Sequence, residues 1–303
     1  MQRSLVRRFC NSFMPRLSLV AMLSVSLFFG GSLHGRAQQM NTDTQSWSDA
    51  NLPKPTSSGH PAGYADPAAM QELQMYEKVT GGTNWTGMKA TGTMTETGAT
   101  GPESARLFML PGNRTRLEVD TPTGEDRTVI KGNHGFIHYA HDDRGYHNTD
   151  QGAHSGPRDV PLSPRTAAAG LIPFDLPFAV LASPAAYTVT DQGSISVDGS
   201  PAHRITIELT LTTPGLLPGE SKQMVVDCYF DPQTHLLRKT ATEITLLAFG
   251  QQRLLRVTSY GSYQTSGQMT VPFSYAETID GRSLWTLQLT TADTATHPNP
   301  EIF

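Results

Sequence analysis

The residues best suited to chemistry lie in one stretch, 134–154, which reads HGFIHYAHDDRGYHNTDQGAH. It holds half of the chain's ten histidines, and imidazole nitrogens are common ligands of zinc and copper. On a β-hairpin, His138, His141 and His147 could lie close together, with a neighbouring aspartate as a carboxylate ligand. The same cluster could serve a secreted hydrolase, so this stretch decides whether the protein is interpreted as an enzyme.

The local pattern around these histidines favours the tip of a hairpin. Residues 135–140 alternate as a strand does, HDDRG is typical of a turn, and His147 would lie on the returning strand. The spacing of the histidines is not one that a zinc-binding family requires. We therefore interpret the stretch as a solvated hairpin tip, while a metal site and a pH-sensitive or partner contact stay open as alternatives.

The sequence motifs of common catalytic and cofactor sites do not occur in this chain. It has neither of the phosphate-binding patterns G-x-x-x-x-G-K-[ST] and G-x-G-x-x-G, and it lacks the hydrolase elbow G-x-S-x-G. The zinc-protease pattern H-E-x-x-H, which places two imidazoles one helical turn apart, is missing as well. We therefore expect a protein without enzymatic activity and without a cofactor.

Two further reactive residues have structural interpretations. His203 falls on the same side of a strand as Ile205, and a hydrogen-bonded histidine at the start of a strand is more common than a catalytic base. Cys228 in VVDCYF has no basic neighbour that would lower the pKa of its thiol. We expect it to be a small buried hydrophobic residue.

The first thirty-seven residues are typical of a secretory signal peptide. Arginines precede the uncharged run LSLVAMLSVSLFFGGSL, and Gly35-Arg36-Ala37 offers small residues for cleavage. We expect an exported protein, in the periplasm, with no transmembrane span in the mature chain. Secretion is one alternative, and an uncleaved anchor in the inner membrane is another, because an uncharged run of this length reaches the lower limit for spanning a bilayer.

Cleavage would change the charge and the cysteine content. The chain has 23 Lys and Arg against 27 Asp and Glu, and removal of five arginines with residues 1–37 leaves a net charge of −9. A protein this acidic has no electrostatic reason to bind nucleic acid. Cys228 would be the one remaining cysteine, so stability must come from a buried core rather than a disulfide. We expect a monomer.

The mature chain divides into a linker and one domain. Residues 38–66 are polar, rich in Pro, Ser and Gly, and typical of a disordered linker. The domain would cover 67–303 and begin with a helix, for which Asp66-Pro67 provides the N-cap and Gly81-Gly82 the end.

Most of the domain is predicted to be β-sheet. From residue 88 onward, short β-rich runs are bounded by Gly, Pro, Asp or Asn, and in 202–211 apolar and polar residues alternate. No crossover helices separate the runs, so we expect an antiparallel meander. Eleven or twelve strands in one flat sheet would be unusual. The fold class is therefore mainly β, with a curled antiparallel sheet that forms an unclosed β-barrel.

One apolar segment interrupts the strands. Residues 157–185 read GPRDVPLSPRTAAAGLIPFDLPFAVLASP, and their prolines cannot donate to a strand ladder. The pieces 165–171 and 176–182 suit short helices whose apolar side chains must be covered. The segment is either a loop packed over a sheet edge or a helical plug or lid in the mouth of the curled sheet.

The order of several motifs resembles the outer-membrane lipoprotein carrier and sorting (LolA-like) superfamily. LQMYEKVTGGTNWTGMKATGTMT is similar to the family's opening helix, Gly-Gly, tryptophan, and first strand with an inner glycine, here Gly92. RTRLEVD, GNHGF, IPFDLPFAVL, VDGSPAHRITI and YFDPQTHLLRK follow in the family's order, and the chain closes with Asn299 and Phe303. The resemblance covers about 68–303.

This resemblance implies an unclosed half-barrel around short helices, with an apolar cavity that holds acyl chains. It implies a non-enzymatic role in envelope lipid or lipoprotein trafficking, with a lipid or a lipidated protein as partner. True carriers position an arginine that holds the helical lid, and no arginine of this chain is matched to it. Lipoprotein transfer is therefore not carried over.

The predicted ligand cavity combines the apolar segment with one face of the strand at 202–211. Its predicted residues are Leu171, Ile172, Phe174, Leu176, Phe178, Val180, Leu181, Ile205, Ile207 and Leu209. Two other classes remain open: a secreted hydrolase or metal-binding protein that uses the histidines of 134–154, and a structural envelope protein whose own side chains fill the cavity.

The hairpin-tip interpretation predicts that the mature protein binds neither zinc nor copper stoichiometrically. Metal content after equilibration and desalting, measured by elemental mass spectrometry, checks this. Uptake of one metal ion per chain that a chelator removes would overturn it.

Overall fold

The computed structural model describes residues 49, 52–131, 134–138, 140, 147–148, 174–211, 222–246 and 252–303. Several predicted features lie outside this part of the chain: the signal peptide over 1–37, the histidines His141 and His154, the first helical piece 165–171, and the lid residues Leu171 and Ile172.

The N-terminal helix forms as the sequence predicts. α1 covers Pro67–Thr80, and the Asp66 carboxylate accepts hydrogen bonds from the N–H groups of Ala68 and Ala69 at 2.8 and 3.5 Å. Proline fits the first turn, where its missing N–H costs nothing. The helix ends at Gly81, whose φ of 71° is the left-handed conformation that glycine adopts without strain.

A second, shorter helix follows much later in the chain. α2 covers Leu176–Ala182, the range predicted for the second piece of the apolar segment. None of the helices in the described residues is long and apolar enough to cross a membrane.

The described strands overlap the predicted runs, although fifteen strands form where eleven or twelve were expected, and several of them are joined by tight turns. The Asp198-Gly199 and Asp280-Gly281 pairs have positive φ at both residues, as the two-residue turns of hairpins require. The strands are β1 Met88–Glu96, β2 Glu103–Leu110, β3 Arg114–Thr121, β4 Gly124–Lys131, β5 His134–His138, β6 His147–Asn148, β7 Tyr187–Val197, β8 Ser200–Leu211, β9 Lys222–Phe230, β10 Leu237–Leu246, β11 Gln252–Gly261, β12 Gln264–Ser266, β13 Met269–Val271, β14 Ser274–Ile279 and β15 Arg282–Asp293.

Thirteen of these strands form one antiparallel sheet, in the order β6-β5-β4-β3-β2-β1-β15-β14-β11-β10-β9-β8-β7. Two meanders, β1 to β6 and β7 to β15, meet where β1 pairs with β15. The strands at the two ends, β6 and β7, do not pair with each other in the described structure, so the sheet is an unclosed half-barrel. The predicted fold class is confirmed.

The two faces of the sheet have different partners. We define the inner face as the face that packs against α1 and α2. The main core lies between this face and the helices, and it includes Leu73 and Tyr76 of α1 and Ile205 and Ile207 of β8. The outer face carries a smaller apolar cluster around Tyr229. In β8, Ile205 and Ile207 alternate with the outward-facing polar residues, as the sequence predicts.

The segment before α1 lies against the sheet. The hydroxyl of Ser57 donates to the Glu208 carboxylate at 2.7 Å, and Ala65 forms a parallel bridge with Val189. Lys239, fully buried, binds the carboxylates of Asp49 and Asp198 at 2.5 and 2.8 Å. The described residues of the segment 38–66, which the sequence suggests is a linker, thus make specific contacts with the domain.

The junction of the two meanders depends on a close approach at Gly92. A bulge lies between Thr91 and Gly92, and a Cβ atom at Gly92 would lie 2.1 Å from the carbonyl oxygen of Gln288 and 2.7 Å from Cα of Leu289. Both contacts are with backbone, which cannot rotate away. Gly92 is therefore required, because any side chain there would collide with the backbone of β15.

We therefore predict that Gly92→Ala lowers the free energy of unfolding by about 2–3 kcal/mol, because the added methyl group forces β1 and β15 apart. Urea denaturation measures the change. Gly101→Ala is the matched control, since a Cβ there meets nothing within 4 Å. Equal stability of the two variants would contradict the prediction.

Candidate binding site beneath helix α2

Helix α2 cannot be stable by itself. It has seven residues, LPFAVLA, and isolated helices of this length do not persist in water. Pro177 lies in its first turn, where proline is tolerated, and the N–H of Ser183 closes the last turn by donating to the carbonyl of Ala179 at 3.1 Å. Its position must therefore come from packing.

Aromatic rings supply most of that packing. Phe178 of α2 stacks on Tyr76 of α1, with ring centroids 5.3 Å apart, and Phe174 meets Trp85 edge to face at 5.2 Å. A Cβ atom at Gly82 would lie 2.3 Å from a carbon of the Phe178 ring, so the Gly-Gly that ends α1 also makes room for α2. Such aromatic pairs add to the free energy of area burial.

Two hydrogen bonds hold the residues that precede α2. The indole N–H of Trp85 donates to Oδ2 of Asp175 at 2.7 Å, and the Tyr76 hydroxyl donates to the carbonyl of Phe174 at 2.9 Å. All four residues are buried. These bonds, which we call the two anchors, fix the start of α2 against α1 and the segment after it.

The anchor carboxyl is in an unusual electrostatic state. Burial raises the pKa of Asp175 to about 7, against the opposing effect of the Trp85 hydrogen bond. Burial and, secondarily, the Asp175 charge raise the pKa of Tyr187. Asp175 therefore takes up a proton at mildly acidic pH and loses it near neutral pH, without a cation to balance the charge among the partners that act on it.

Most of the predicted cavity residues come together in one cluster. Four residues of the apolar segment are buried, and they share a core with two of β8: Phe174, Leu176, Phe178, Val180, Ile205 and Ile207. Leu181 packs at the edge of that core, and Leu209 lies half-buried opposite Tyr187 of β7. That they contact a ligand stays a prediction.

The anchor residues Tyr76, Trp85 and Asp175 were not among the predicted site residues. The signal that could have found them is an acidic residue inside an apolar run, IPFDLPFAVL, because a buried carboxyl requires a hydrogen-bond donor. Nothing in the sequence says that Trp85, 90 residues earlier, provides that donor.

The predicted return strand of the histidine stretch is present as β6, His147–Asn148. β5 and β6 pair with Ile137 opposite His147, and His138 lies opposite Arg127 of β4. Within the part of the chain that the structure describes, no three His, Cys, Asp or Glu residues are arranged to hold a metal ion. Because His141 lies outside that part, the metal alternative is not tested.

His203 and Cys228 have the structural roles that the sequence suggests. His203 binds Glu72 through Nδ1 at 3.2 Å and Asp191 through Nε2 at 2.8 Å. Burial opposes its charge, but the two carboxylates outweigh this and raise its pKa. Cys228 is fully buried, and burial raises the pKa of its thiol well above the ordinary value.

The chain is similar to several solved structures at low sequence identity. A domain from Vibrio parahaemolyticus described as an outer membrane lipoprotein-sorting protein is 12% identical, with a TM-score of 0.48, and the match covers 77% of this chain and 95% of that one. A LolA superfamily protein from Nitrosomonas europaea is 8% identical, with a TM-score of 0.46 and coverage of 78% and 99%. A DUF1329 family protein from Desulfovibrio piger is 10% identical, with a TM-score of 0.47 and coverage of 79% and 98%.

No family model matches the chain, and no curated protein matches it.

The raised pKa of Asp175 predicts a loss of stability with rising pH. Between about pH 4, where an unfolded aspartate ionises, and pH 7, the folded state holds a proton that the unfolded state has lost. Stability therefore falls across this window, by at most about 1.4 kcal/mol per pH unit from this group. Asp175→Asn should flatten the decline, as urea denaturation from pH 4.5 to 8 would show.

Glu301→Gln is the control, because it removes an exposed carboxyl far from α2 in the sequence. A pH profile that Asp175→Asn leaves as steep as that of Glu301→Gln would show that Asp175 does not ionise in this window.

Proposed function

We propose that this protein is a non-enzymatic binding protein that holds an acyl chain, as part of a lipid or of a lipidated protein, between α2 and the inner face of the half-barrel. The observation that carries the proposal is the construction of α2. It is a seven-residue apolar helix, held by aromatic packing and two anchors, over a buried apolar sheet face.

Such a helix suits a lid because displacing it costs little intrinsic helix stability. Its contacts with the inner face are apolar and non-directional, so an acyl chain can replace them without leaving polar groups unpaired. The two anchors lie at its N-terminal end, so a motion that lifts α2 from the inner face has to break them.

Asp175 and His203 do not support catalysis. Asp175 is bonded to an indole rather than to a nucleophile or a base. Both ring nitrogens of His203 are hydrogen-bonded to carboxylates, those of Glu72 and Asp191. A hydrolase would need a nucleophile and a base within hydrogen-bond distance of each other in the cavity.

Export fits this role. Acyl chains are poorly soluble in water, so their passage through an aqueous compartment requires a protein that covers them. The signal-like residues 1–37 and the acidic mature chain support a periplasmic protein that binds lipid rather than nucleic acid.

Native mass spectrometry of the protein purified from its own periplasm tests the proposal. We expect a chain that begins at Gln38 and carries bound acyl lipid, which solvent extraction then identifies. A protein without lipid that also fails to bind a dansyl-labelled fatty acid saturably would overturn the proposed function.

The lid role predicts faster ligand release when an anchor is lost. Trp85→Phe keeps an aromatic ring but removes the N–H that binds Asp175, and we expect the dansyl-labelled fatty acid to dissociate about five- to tenfold faster, since a net hydrogen bond is worth about 1 kcal/mol. Stopped-flow fluorescence measures the rate.

Tyr229→Phe is the matched control, because it removes a buried hydroxyl from the outer face, where that hydroxyl meets Asp227. If Trp85→Phe released the fatty acid at the rate of Tyr229→Phe, α2 would not act as the lid.

A further inference from the structure

Polar side chains form a buried cluster on the inner face, on three adjacent strands. Thr258 of β11 lies opposite Glu277 of β14, and Glu277 lies opposite Trp285 of β15. Tyr275 precedes Glu277 by two residues and so points to the same face. We call Thr258, Tyr275, Glu277 and Trp285 the inner polar cluster. Each of these side chains is at most 2% exposed.

Each member of this cluster has a polar atom without a hydrogen-bond partner among the described residues. These atoms are the hydroxyls of Thr258 and Tyr275, Oε2 of Glu277 and Nε1 of Trp285. Buried polar atoms are nearly always hydrogen-bonded, because water no longer solvates them. Four such atoms at neighbouring positions on one face therefore point to a binding site for a polar ligand group.

Asp227 on the outer face is a buried polar side chain whose partners are in place: it accepts hydrogen bonds from Thr206 at 2.7 Å and from Arg204 at 2.7 Å. Thr115 and Thr190 also have buried hydroxyls without a partner among the described residues, but neither lies on β11, β14 or β15. The inner polar cluster is therefore distinguished by four such side chains on adjacent strands.

Glu277 has a cationic partner. Nε of Arg256 donates to Oε1 of Glu277 at 3.1 Å, so the guanidinium pairs with one carboxylate oxygen and leaves the other. Burial raises the pKa of Glu277 to about 7, although Arg256 opposes the shift. An anionic ligand would meet the Glu277 carboxyl, whereas an uncharged ligand meets no opposing charge.

The cluster adjoins both the apolar core and α2. Tyr260 and Leu287, which flank Tyr275 on the neighbouring strands, belong to the main core. Tyr275 and Trp285 belong to the same buried core as Phe178 of α2. A ligand held by the cluster could therefore extend an apolar chain along the inner face.

We propose that the inner polar cluster binds the uncharged, hydroxyl-bearing head group of an acyl lipid, of which a monoacylglycerol is the simplest example. An ester carbonyl accepts from the indole N–H of Trp285, a glycerol hydroxyl donates to Oε2 of Glu277, and the hydroxyls of Thr258 and Tyr275 can either donate or accept. This inference rests on the proposed function and adds the class of head group that the site selects.

The experiment is a competition against the dansyl-labelled fatty acid, with three ligands that share one acyl chain. 1-Monolauroylglycerol has an uncharged head with two hydroxyls, laurate is an anion, and methyl laurate has an ester but no hydroxyl. We expect the monoacylglycerol to compete at least about tenfold better than either of the others, the effect of one or two well-placed hydrogen bonds.

Thr258→Val tests the contribution of the cluster. It preserves the side-chain shape and removes one unpartnered hydroxyl, so we expect it to weaken the monoacylglycerol about fivefold, to leave methyl laurate unchanged, and not to lower the Tm. Thr206→Val is the matched control: its hydroxyl is bonded to Asp227 on the outer face, so we expect it to lower the Tm and leave the ligand preference unchanged.

The outcomes separate the two proposals. If all three ligands bind equally well, or if Thr258→Val lowers the Tm and weakens all three alike, the head-group inference is wrong and acyl binding stands. If laurate competes best, the cluster selects an anion and the inference is also wrong. If none of the three ligands competes and the dansyl-labelled fatty acid itself does not bind, the proposed function fails as well.

Discussion

The pairing of β1 with β15 is the contact on which the rest of the structure depends. It joins two meanders that are each local in sequence, and it sets the first strand after α1 beside the last strand of the sheet. Without it, the inner face would be divided into two narrower sheets, each with an exposed edge. Gly92 makes the pairing possible, because only a residue without a side chain tolerates the approach of the β15 backbone there.

Once the inner face is continuous, it needs to be covered. α1 covers it with a capped start, a glycine end and the fully buried Leu73 and Tyr76. α2 covers it with about two turns of helix and two anchors. Local stability is lower for a segment held by fewer contacts, so the shorter α2 is the helix for which we propose the lid role.

Several buried polar side chains of the sheet differ in whether they have partners. On the outer face, Asp227 and Lys239 are buried with charged partners, and the segment that contains Asp49 lies against that face. On the inner face, the inner polar cluster keeps unpaired donors and acceptors beside an apolar core. A protein that only needed to fold would gain stability by replacing those groups, so their retention is consistent with a binding role.

The sequence by itself determined the elements of this protein and their class. Local signals placed α1 between Asp66 and Gly81, placed the strands between tight turns, and identified α2 from an apolar run cut by proline, because capping, turn chemistry and side-chain alternation act over a few residues. Only the tertiary structure decided which distant residues meet. The Trp85–Asp175 anchor and the Thr258–Glu277–Trp285 row depend on strand order and register, and no short-range pattern encodes a hydrogen bond between residues so far apart in the chain.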